Sequence, residues 1–298
     1  MNPYFIIIMA AVVLAVQAIF FKVFSLEYRR GLASHFLNNI FFIGVVVLVL
    51  LAINGFLVPV NPATYIYAAV FGVLWVSAMI FYVRAMGLGP TGLVTLFFSF
   101  GIIIPIITDV AALGAVLTVF QVVGLVLLLV SFYIGNRPLG DEKKSISPKF
   151  IAACIGSFLF NGLIMADVKL HQGAMPGIDV QAFVLYGFAA AVAVSIILFI
   201  IFHIKQSRSE KMSYGYMFKS PKYYVTVAGS GVTTAVGNLL MLYAASLVPA
   251  ATQFPIMNGV TSITSAILSI FIFKEKLTKR MAIVFIVGIA ALVIINIK

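Results

Sequence analysis

Long apolar segments separated by short polar loops repeat along the whole chain. Each segment approaches the roughly 20 residues that an α-helix needs to cross about 30 Å of hydrocarbon. A transmembrane barrel would instead show alternating segments of roughly 10 residues. The sequence therefore predicts an all-α integral membrane protein with ten transmembrane helices. The predicted spans are residues 3–23, 34–54, 64–86, 91–112, 116–135, 149–171, 179–203, 222–246, 251–273 and 279–297.

The joint between spans 4 and 5 resembles the joint between spans 9 and 10. Residues 114–118 read Gly-Ala-Val-Leu-Thr, whereas residues 274–278 read Lys-Glu-Lys-Leu-Thr. Because five is an odd number of crossings, a second copy of the unit enters the bilayer in the opposite orientation, and the two joints lie on opposite faces. The positive-inside rule then predicts charge at only one of the two joints. We therefore predict two inverted five-helix repeats, residues 1–136 and 149–298, on either side of a polar loop.

Composition excludes several classes of protein. With 63% hydrophobic and 9% charged residues, the chain cannot cover the surface of a soluble domain. The net charge of +11 could suggest a nucleic-acid partner, but the cations lie in short loops between spans, so no such partner is expected. The single cysteine, Cys154, rules out an intramolecular disulfide framework. The loops are also too short for a soluble enzymatic domain.

The distribution of cations predicts the orientation in the cell membrane. All of the 19 Lys and Arg residues except Lys169 and Lys298 lie in or beside the loops that follow odd-numbered spans. The positive-inside rule then places these loops in the cytoplasm and both termini outside. No Lys or Arg precedes the first apolar run, which continues to Phe21, so we expect a retained helix rather than a signal peptide.

One motif carries a family resemblance. Residues 273–281 read Phe-Lys-Glu-Lys-Leu-Thr-Lys-Arg-Met, and Gly288 follows in span 10. This pattern resembles the EamA-like permeases, the ten-helix branch of the drug/metabolite transporter superfamily, in which a helix typically ends in a Gly-Glu-x-Leu-Thr-like turn. Here Lys274 replaces the glycine, and Ala115 in the first half replaces the acid. The resemblance implies two inverted repeats around a central cavity that opens alternately to either side.

Polar side chains near mid-depth are the candidates for substrate binding, because in lipid they need a partner or a watery cavity. Ser230, Thr234 and Asn238 recur every four residues and so share one helical stripe. The alternative for each candidate is a hydrogen bond across a helix interface without a role in binding. The candidates are Gln17, Ser99, Asn161, Thr234, Asn238 and Asn258.

Two aromatic residues of span 3 are further candidates. Trp75, the only tryptophan, lies at the middle of the span, and Tyr82 follows about two helical turns later. Tryptophan usually lies at the membrane interface, so at mid-depth it could stack on an aromatic ligand or contact a cation with its ring face. The alternative is that it fills a helix interface.

Asp109 and Asp167 are the candidates for proton coupling, since ionisable groups inside a membrane often carry function. The alternative places both carboxylates at the headgroup boundary, with Asp167 beside Lys169. Pro105 and Pro255 interrupt spans 4 and 9, which are equivalent helices of the two repeats. Because proline removes a backbone hydrogen bond, we expect a hinge at each.

These observations predict a secondary transporter, not an enzyme. The sequence has no Walker loop, no metal-ligand spacing and no nucleophile with a His and an acid at mid-depth, so neither a cofactor nor a metal is expected. Export of amino acids or related small organic metabolites is the function that the family resemblance implies. The alternatives are an organic-cation or multidrug carrier that uses Asp109 or Asp167 with Trp75, and a flippase for lipid-linked substrates with Lys22 and Arg84 at headgroup depth. The expected partners are the substrate, the bilayer and, as coupling ion, the proton.

Overall fold

The structure is a computed structural model in which every regular element is helical. It describes residues 3–105, 107–108, 118–136, 147–175, 178–205, 214–245, 250–276, 278–294 and 297, and these residues contain no β-strand. The ten long helices of this part of the chain are α1 (Pro3–Val23), α2 (Leu32–Asn54), α3 (Ala63–Leu88), α4 (Thr91–Ser99), α5 (Val119–Asn136), α6 (Pro148–Ala174), α7 (Val180–Lys205), α8 (Pro221–Ala245), α9 (Ala250–Phe273) and α10 (Lys279–Ile294).

Each predicted span overlaps one of these helices, although α4 covers only residues 91–99 of the predicted span 91–112. Within the described ranges, six helical segments are long and apolar enough to cross a membrane: Tyr4–Tyr28, Leu32–Asn54, Ala63–Leu88, Pro148–His171, Val180–Lys205 and Ile256–Phe273. Two shorter apolar helices cover Thr91–Pro105 and Met281–Ile294. The protein is therefore a multi-pass membrane protein, and the crossing of all ten helices stays a prediction.

Two helices depart from a regular α-helix. α1 continues into a π-helical turn over Phe24–Tyr28. α4 is followed by a 3₁₀ turn over Phe100–Ile102 before helix resumes at residue 103. At this turn, a Cβ on Gly101 would lie 2.9 Å from the backbone nitrogen of Gly162 in α6, so the two backbones are in direct contact.

The most extensive helix packing joins the two predicted halves. α3 packs against α6 and α7, and α8 packs in the same way against α1 and α2. α4 contacts α6, α9 contacts α1, and the pairs α2–α7, α4–α9 and α5–α10 pack directly. These contacts form a symmetric pattern. If each helix of the first half exchanges places with the helix five positions later in the chain, every contacting pair named here becomes either itself or another of the named pairs.

The described parts of the loops after α1, α3, α7 and α9 meet on one face of the bundle. The end of α1 is ion-paired with the α9–α10 connection, and Glu27 after α1 pairs with Lys222 at the start of α8. We call this the odd face, formed by residues 24–31, 89–90, 214–220, 274–276 and 278. The opposite even face comprises residues 55–62, 175, 178 and 179, where Asp179 contacts the α2–α3 connection.

The bundle has an apolar outside and polar groups inside, as a bilayer requires. Large aliphatic side chains such as Leu48, Val225 and Ile286 are exposed. Buried positions, in contrast, include polar residues such as Asn39, Asp167 and Ser265. This distribution supports lipid contact around the outside and specific polar contacts between helices.

Candidate functional site

The first group of candidate residues lies between α1 and α8, that is, between the two halves. Gln17 Nε2 donates to Thr234 Oγ1, whose hydroxyl donates to the carbonyl of Ser230 at 2.6 Å. Asn238 Nδ2 donates to the carbonyl of Thr234 at 2.8 Å. The predicted stripe of α8 therefore faces α1, and the structure joins three of the candidates: Gln17, Thr234 and Asn238.

Close approach of α1 and α8 accompanies these hydrogen bonds. A Cβ on Gly229 would lie 2.3 Å from the ring of Phe20, and a Cβ on Gly237 would lie 2.6 Å from the side chain of Leu14. Two small residues two turns apart on α8 thus allow α1 to pack closely, as glycine does in membrane helices.

A second group surrounds Phe98 near the end of α4. Asn161 Nδ2 donates to the Phe98 carbonyl at 2.8 Å, and the Tyr82 ring packs on the Phe98 ring with centroids 4.5 Å apart. The neighbouring Ser99 is buried and donates to the carbonyl of Thr95 in its own helix at 2.9 Å. α4 thus contacts both α3 and α6 immediately before the 3₁₀ turn.

Trp75 lies in an aromatic cluster between α3 and α7, apart from both groups. Its ring stacks on Phe71 with centroids 5.7 Å apart and meets Phe188 edge-on at 4.8 Å. Its buried Nε1 has no hydrogen-bond partner within the described ranges. Asn258 is half-buried on α9, and α9 contacts α1 through Thr261, which donates to the Ala11 carbonyl at 3.2 Å.

The ionisable and proline candidates occupy different environments. Asp167 is buried in α6, and its Oδ2 has no hydrogen-bond partner in the part of the chain that the structure describes. Asp109 lies outside the described residues. Pro105 is buried just after the 3₁₀ turn, whereas α9 remains helical through residue 255, so only span 4 shows an interruption. Hinge motion at Pro105 and Pro255 stays a prediction.

Glu275, the acid of the sequence motif, links three segments on the odd face. Its Oε1 lies 2.7 Å from Lys22 Nζ, and Lys22 also donates to the Gly89 carbonyl at 2.6 Å. The same carboxylate accepts the Thr91 backbone N–H at 3.0 Å and the Thr91 hydroxyl at 3.2 Å. The side chains of Lys22 and Glu275 are only 8% and 16% exposed. The Glu275 carboxylate, in the second half, therefore caps the N-terminus of α4 and neutralises the charge of Lys22 in α1, both of which belong to the first half.

Lys274 explains the local geometry of this motif. Its φ is +54°, in the left-handed region that favours glycine. This conformation turns the chain out of α9 and precedes the residue that reaches α4. The glycine typical of the resemblance motif would adopt it without strain, so the sequence departure at residue 274 leaves the turn in place.

Asp179 forms a comparable link on the even face. Its carboxylate accepts the backbone N–H groups of Val60 and Asn61, both at 2.8 Å, and the Thr64 hydroxyl at 3.1 Å. These hydrogen bonds, led by that from Asn61, hold the pKa of Asp179 below its usual value. The Thr64 hydroxyl also contacts His171 Nε2 at 3.2 Å, which ties α3 to α6.

A shallow cleft lies beside the Glu275 link, between α4, α9 and α10. Its lining includes Gly92, Leu93, Ala266, Glu275 and Phe285. The cleft is at the odd face rather than at mid-depth, so it does not coincide with the residues predicted to bind substrate. The sequence motif gives no sign of the partners of Glu275, because Lys22 and Thr91 are distant in sequence.

These features define the class of protein: a multi-pass helical membrane protein in which several polar contacts join the two halves of the chain. A family model described as the EamA-like transporter family matches residues 149–297. The chain belongs to this family, which is part of the drug/metabolite transporter superfamily, and it is a membrane transporter of that type.

Other comparisons concern the fold alone. One crystal structure matches 97% of this chain and 94% of its own chain, with a TM-score of 0.61 and 14% sequence identity. At this identity the likeness supports a shared helical architecture and says nothing of substrate. A search of curated proteins finds no match to this chain.

Proposed function

We propose that the protein is a secondary active transporter that exports small organic metabolites such as amino acids by alternating access. The observation that carries this proposal is family membership combined with hydrogen bonds between the two halves. Gln17 and Asn161 are amides near the middle of α1 and α6, which are equivalent helices of the predicted repeats. Each reaches a helix of the other half, so relative motion of the halves changes the surroundings of both.

The proposed mechanism requires two inverted repeats. The exchange pattern of helix packing supports this arrangement, because a pseudo-twofold axis would generate each contact from its counterpart. The family model begins at residue 149, next to the proposed seam between residues 136 and 149, which supports a five-helix unit. Exchanging the conformations of two such repeats converts an inward-open carrier into an outward-open one.

The links on the two faces are suited to alternate opening. Glu275 joins the halves on the odd face, and Asp179 joins them on the even face. In our proposal, one link is released while the other is kept, and substrate enters from the released side. The cation bias predicts that the odd face lies on the cytoplasmic side of the cell membrane and that both termini lie outside.

Of the alternative functions, the lipid-linked flippase loses part of its support. It needs Lys22 free at headgroup depth, but Lys22 is buried and ion-paired with Glu275. The organic-cation carrier needs a carboxylate near Trp75, and the described contacts of Trp75 are with Phe71 and Phe188. A small neutral or zwitterionic metabolite fits the amide and hydroxyl groups between the halves better.

Transport by proteoliposomes tests the proposed function. Purified protein is first screened for metabolites that raise its unfolding temperature, since a ligand stabilises the folded state by mass action. Labelled hits are then assayed for uptake into proteoliposomes with and without an imposed pH gradient, using the wild type, Asp167→Asn and Asn161→Leu. The matched control is Ser77→Ala, which removes a hydroxyl whose described hydrogen bond is to the Val73 carbonyl of its own helix.

We expect Asn161→Leu to abolish most uptake and Ser77→Ala to preserve it. Acceleration by the gradient in the wild type, lost in Asp167→Asn, would assign proton coupling to Asp167. Uptake that is indifferent to both the gradient and Asp167→Asn excludes that residue as the coupling group. Absence of uptake for every stabilising metabolite refutes the transporter proposal.

A further inference from the structure

Three buried polar side chains lie together at the odd-face end of α2. His35, Asn38 and Asn39 are 0%, 2% and 0% exposed. Asn39 Nδ2 and His35 Nε2 are 3.4 Å apart. In the described part of the chain, however, His35 Nδ1, Asn38 Oδ1 and Asn39 Oδ1 have no hydrogen-bond partner. Two open amide oxygens and an open ring nitrogen therefore lie within the first two turns of this helix.

Such a cluster needs an explanation, because buried polar groups in proteins almost always have hydrogen-bond partners. Desolvation without compensation is unfavourable, and lipid cannot supply hydrogen bonds. The unpaired atoms are concentrated on neighbouring residues rather than scattered along α2. A polar occupant that enters between the helices would satisfy them together.

Arg29 supplies a cation beside this cluster. Its backbone N–H donates to the Phe24 carbonyl at 3.0 Å, and the next backbone N–H, of Arg30, donates to Ser34 Oγ at 2.9 Å. These bonds fold the connection over the first turn of α2. Arg29 lies within electrostatic range of His35, and its buried Nε has no partner among the described residues.

Positive charge at this position is not balanced by the described carboxylates. Burial and the nearby guanidinium of Arg84 hold the pKa of Arg29 below its usual value. Arg84 itself is exposed. The two described carboxylates of the odd face, Glu27 and Glu275, are ion-paired with lysines. An anionic group that enters here would meet a guanidinium that none of the described carboxylates pairs with.

We propose that Arg29, His35, Asn38 and Asn39 form a subsite for a small solute that carries both a carboxylate and an ammonium group, as an amino acid does. A guanidinium forms charge-assisted hydrogen bonds with a carboxylate. The open oxygens of Asn38 and Asn39 accept hydrogen bonds from an ammonium group. The subsite rests on the proposed carrier function, because its buried atoms become accessible only when the helices separate at the odd face.

The test uses purified full-length protein in detergent. Each of the 20 common L-amino acids is screened by thermal shift, with acetate and methylamine as probes that carry only one of the two groups. The strongest stabiliser is then titrated calorimetrically against the wild type, Arg29→Gln, Arg29→Lys and Asn38→Leu. Arg30→Gln is the matched control, because the Arg30 guanidinium stacks on the Tyr216 ring at 3.8 Å.

We expect an amino acid to stabilise the wild type more than acetate or methylamine does. Arg29→Gln and Asn38→Leu should each weaken its binding by about 10-fold or more, the range for a lost hydrogen bond to a charged group. Arg29→Lys keeps the positive charge but loses the planar guanidinium that can donate two parallel hydrogen bonds to a carboxylate, so it should bind with intermediate affinity. Arg30→Gln should stay within about 2-fold of the wild type, as a position outside the cluster.

Two results overturn the subsite. One is that no amino acid stabilises the wild type, and the other is that binding persists unchanged in Arg29→Gln and Asn38→Leu. Uptake in proteoliposomes separates this inference from the carrier function. If the wild type accumulates an amino acid while both variants bind it normally, transport stands and the subsite is refuted. If binding depends on Arg29 and Asn38 but no uptake occurs, the subsite stands and transport is refuted.

Discussion

Neutralising Glu275 should destabilise the protein more than neutralising a surface carboxylate. In Glu275→Gln, the side-chain oxygen can still accept the Thr91 backbone N–H, so the helix cap of α4 is partly kept. The charge that faces Lys22 is lost. Lys22 is 8% exposed and then keeps the Gly89 carbonyl as its described hydrogen-bond partner and the Phe273 ring, whose centroid lies 5.8 Å from Nζ.

The structure sets the expected magnitude. Removing one member of a buried ion pair typically costs about 3–5 kcal/mol, because the other charge stays buried. Because Glu275 is 16% exposed, we expect Glu275→Gln to lower the free energy of unfolding by about 3 kcal/mol, at the low end of this range. Glu275→Ala should lose about 1 kcal/mol more, since it also removes the cap. Adding Lys22→Met to Glu275→Gln should recover much of the loss, because no orphaned charge remains.

The assay is equilibrium unfolding in mixed micelles, followed by circular dichroism for the single variants and the double variant. Glu27→Gln is the control, because Glu27 pairs with Lys222 at side-chain exposures of 41% and 58%. Exposed ion pairs contribute about 0–1 kcal/mol. If Glu275→Gln costs no more than Glu27→Gln, or if Lys22→Met adds to its cost instead of relieving it, the buried link does not hold the odd face together.

Three further outcomes follow from local geometry. Lys274→Gly should raise stability by about 1 kcal/mol because φ is +54°, whereas Lys276→Gly, without a positive φ to relieve, should not; thermal unfolding compares them. Gly101→Ala should cost about 1–3 kcal/mol from overpacking against α6, whereas Gly44→Ala, with nothing within 4 Å of its Cβ, should be tolerated in the same measurement. Because the folded-state pKa of Asp179 is lowered, its contribution to the free energy of unfolding is complete above about pH 3.9 and is lost as the pH falls through the lowered value. Asp179→Asn should therefore be less stable than the wild type at pH 7 and equally stable in strong acid. A difference in stability that persists in strong acid would refute the assignment.

Helix positions were predictable from the sequence because hydrophobic length alone marks a membrane span. The predicted span 149–171 corresponds to Pro148–Ala174, and 251–273 corresponds to Ala250–Phe273. Span 4 was less predictable. Its 3₁₀ turn at Phe100–Ile102 accompanies the contact of Gly101 with α6, and no local pattern specifies that contact.

Site residues were only partly predictable, because their partners are distant in sequence. The polar stripe of α8 was visible in the spacing of Thr234 and Asn238, but its partner Gln17 follows only from the packing of α1 on α8. The Asn38–Asn39 pair lies inside the predicted span 34–54, which is a signal that could have identified it. The pair lies near the end of that span, and only the packing of the helices shows that both side chains are buried.

Distance measurements across the two faces test alternating access most directly. In a Cys154→Ala background, one spin-label pair joins Leu88 and Lys276 across the odd face, and another joins Phe56 and Ile178 across the even face. All four labelled side chains are exposed, so labelling should not disturb packing. Our account predicts two distance populations for each label pair. Conditions that lengthen the distance across the odd face should shorten the distance across the even face, and the reverse. Distances that stay single-valued in every condition, or that lengthen together, would contradict it.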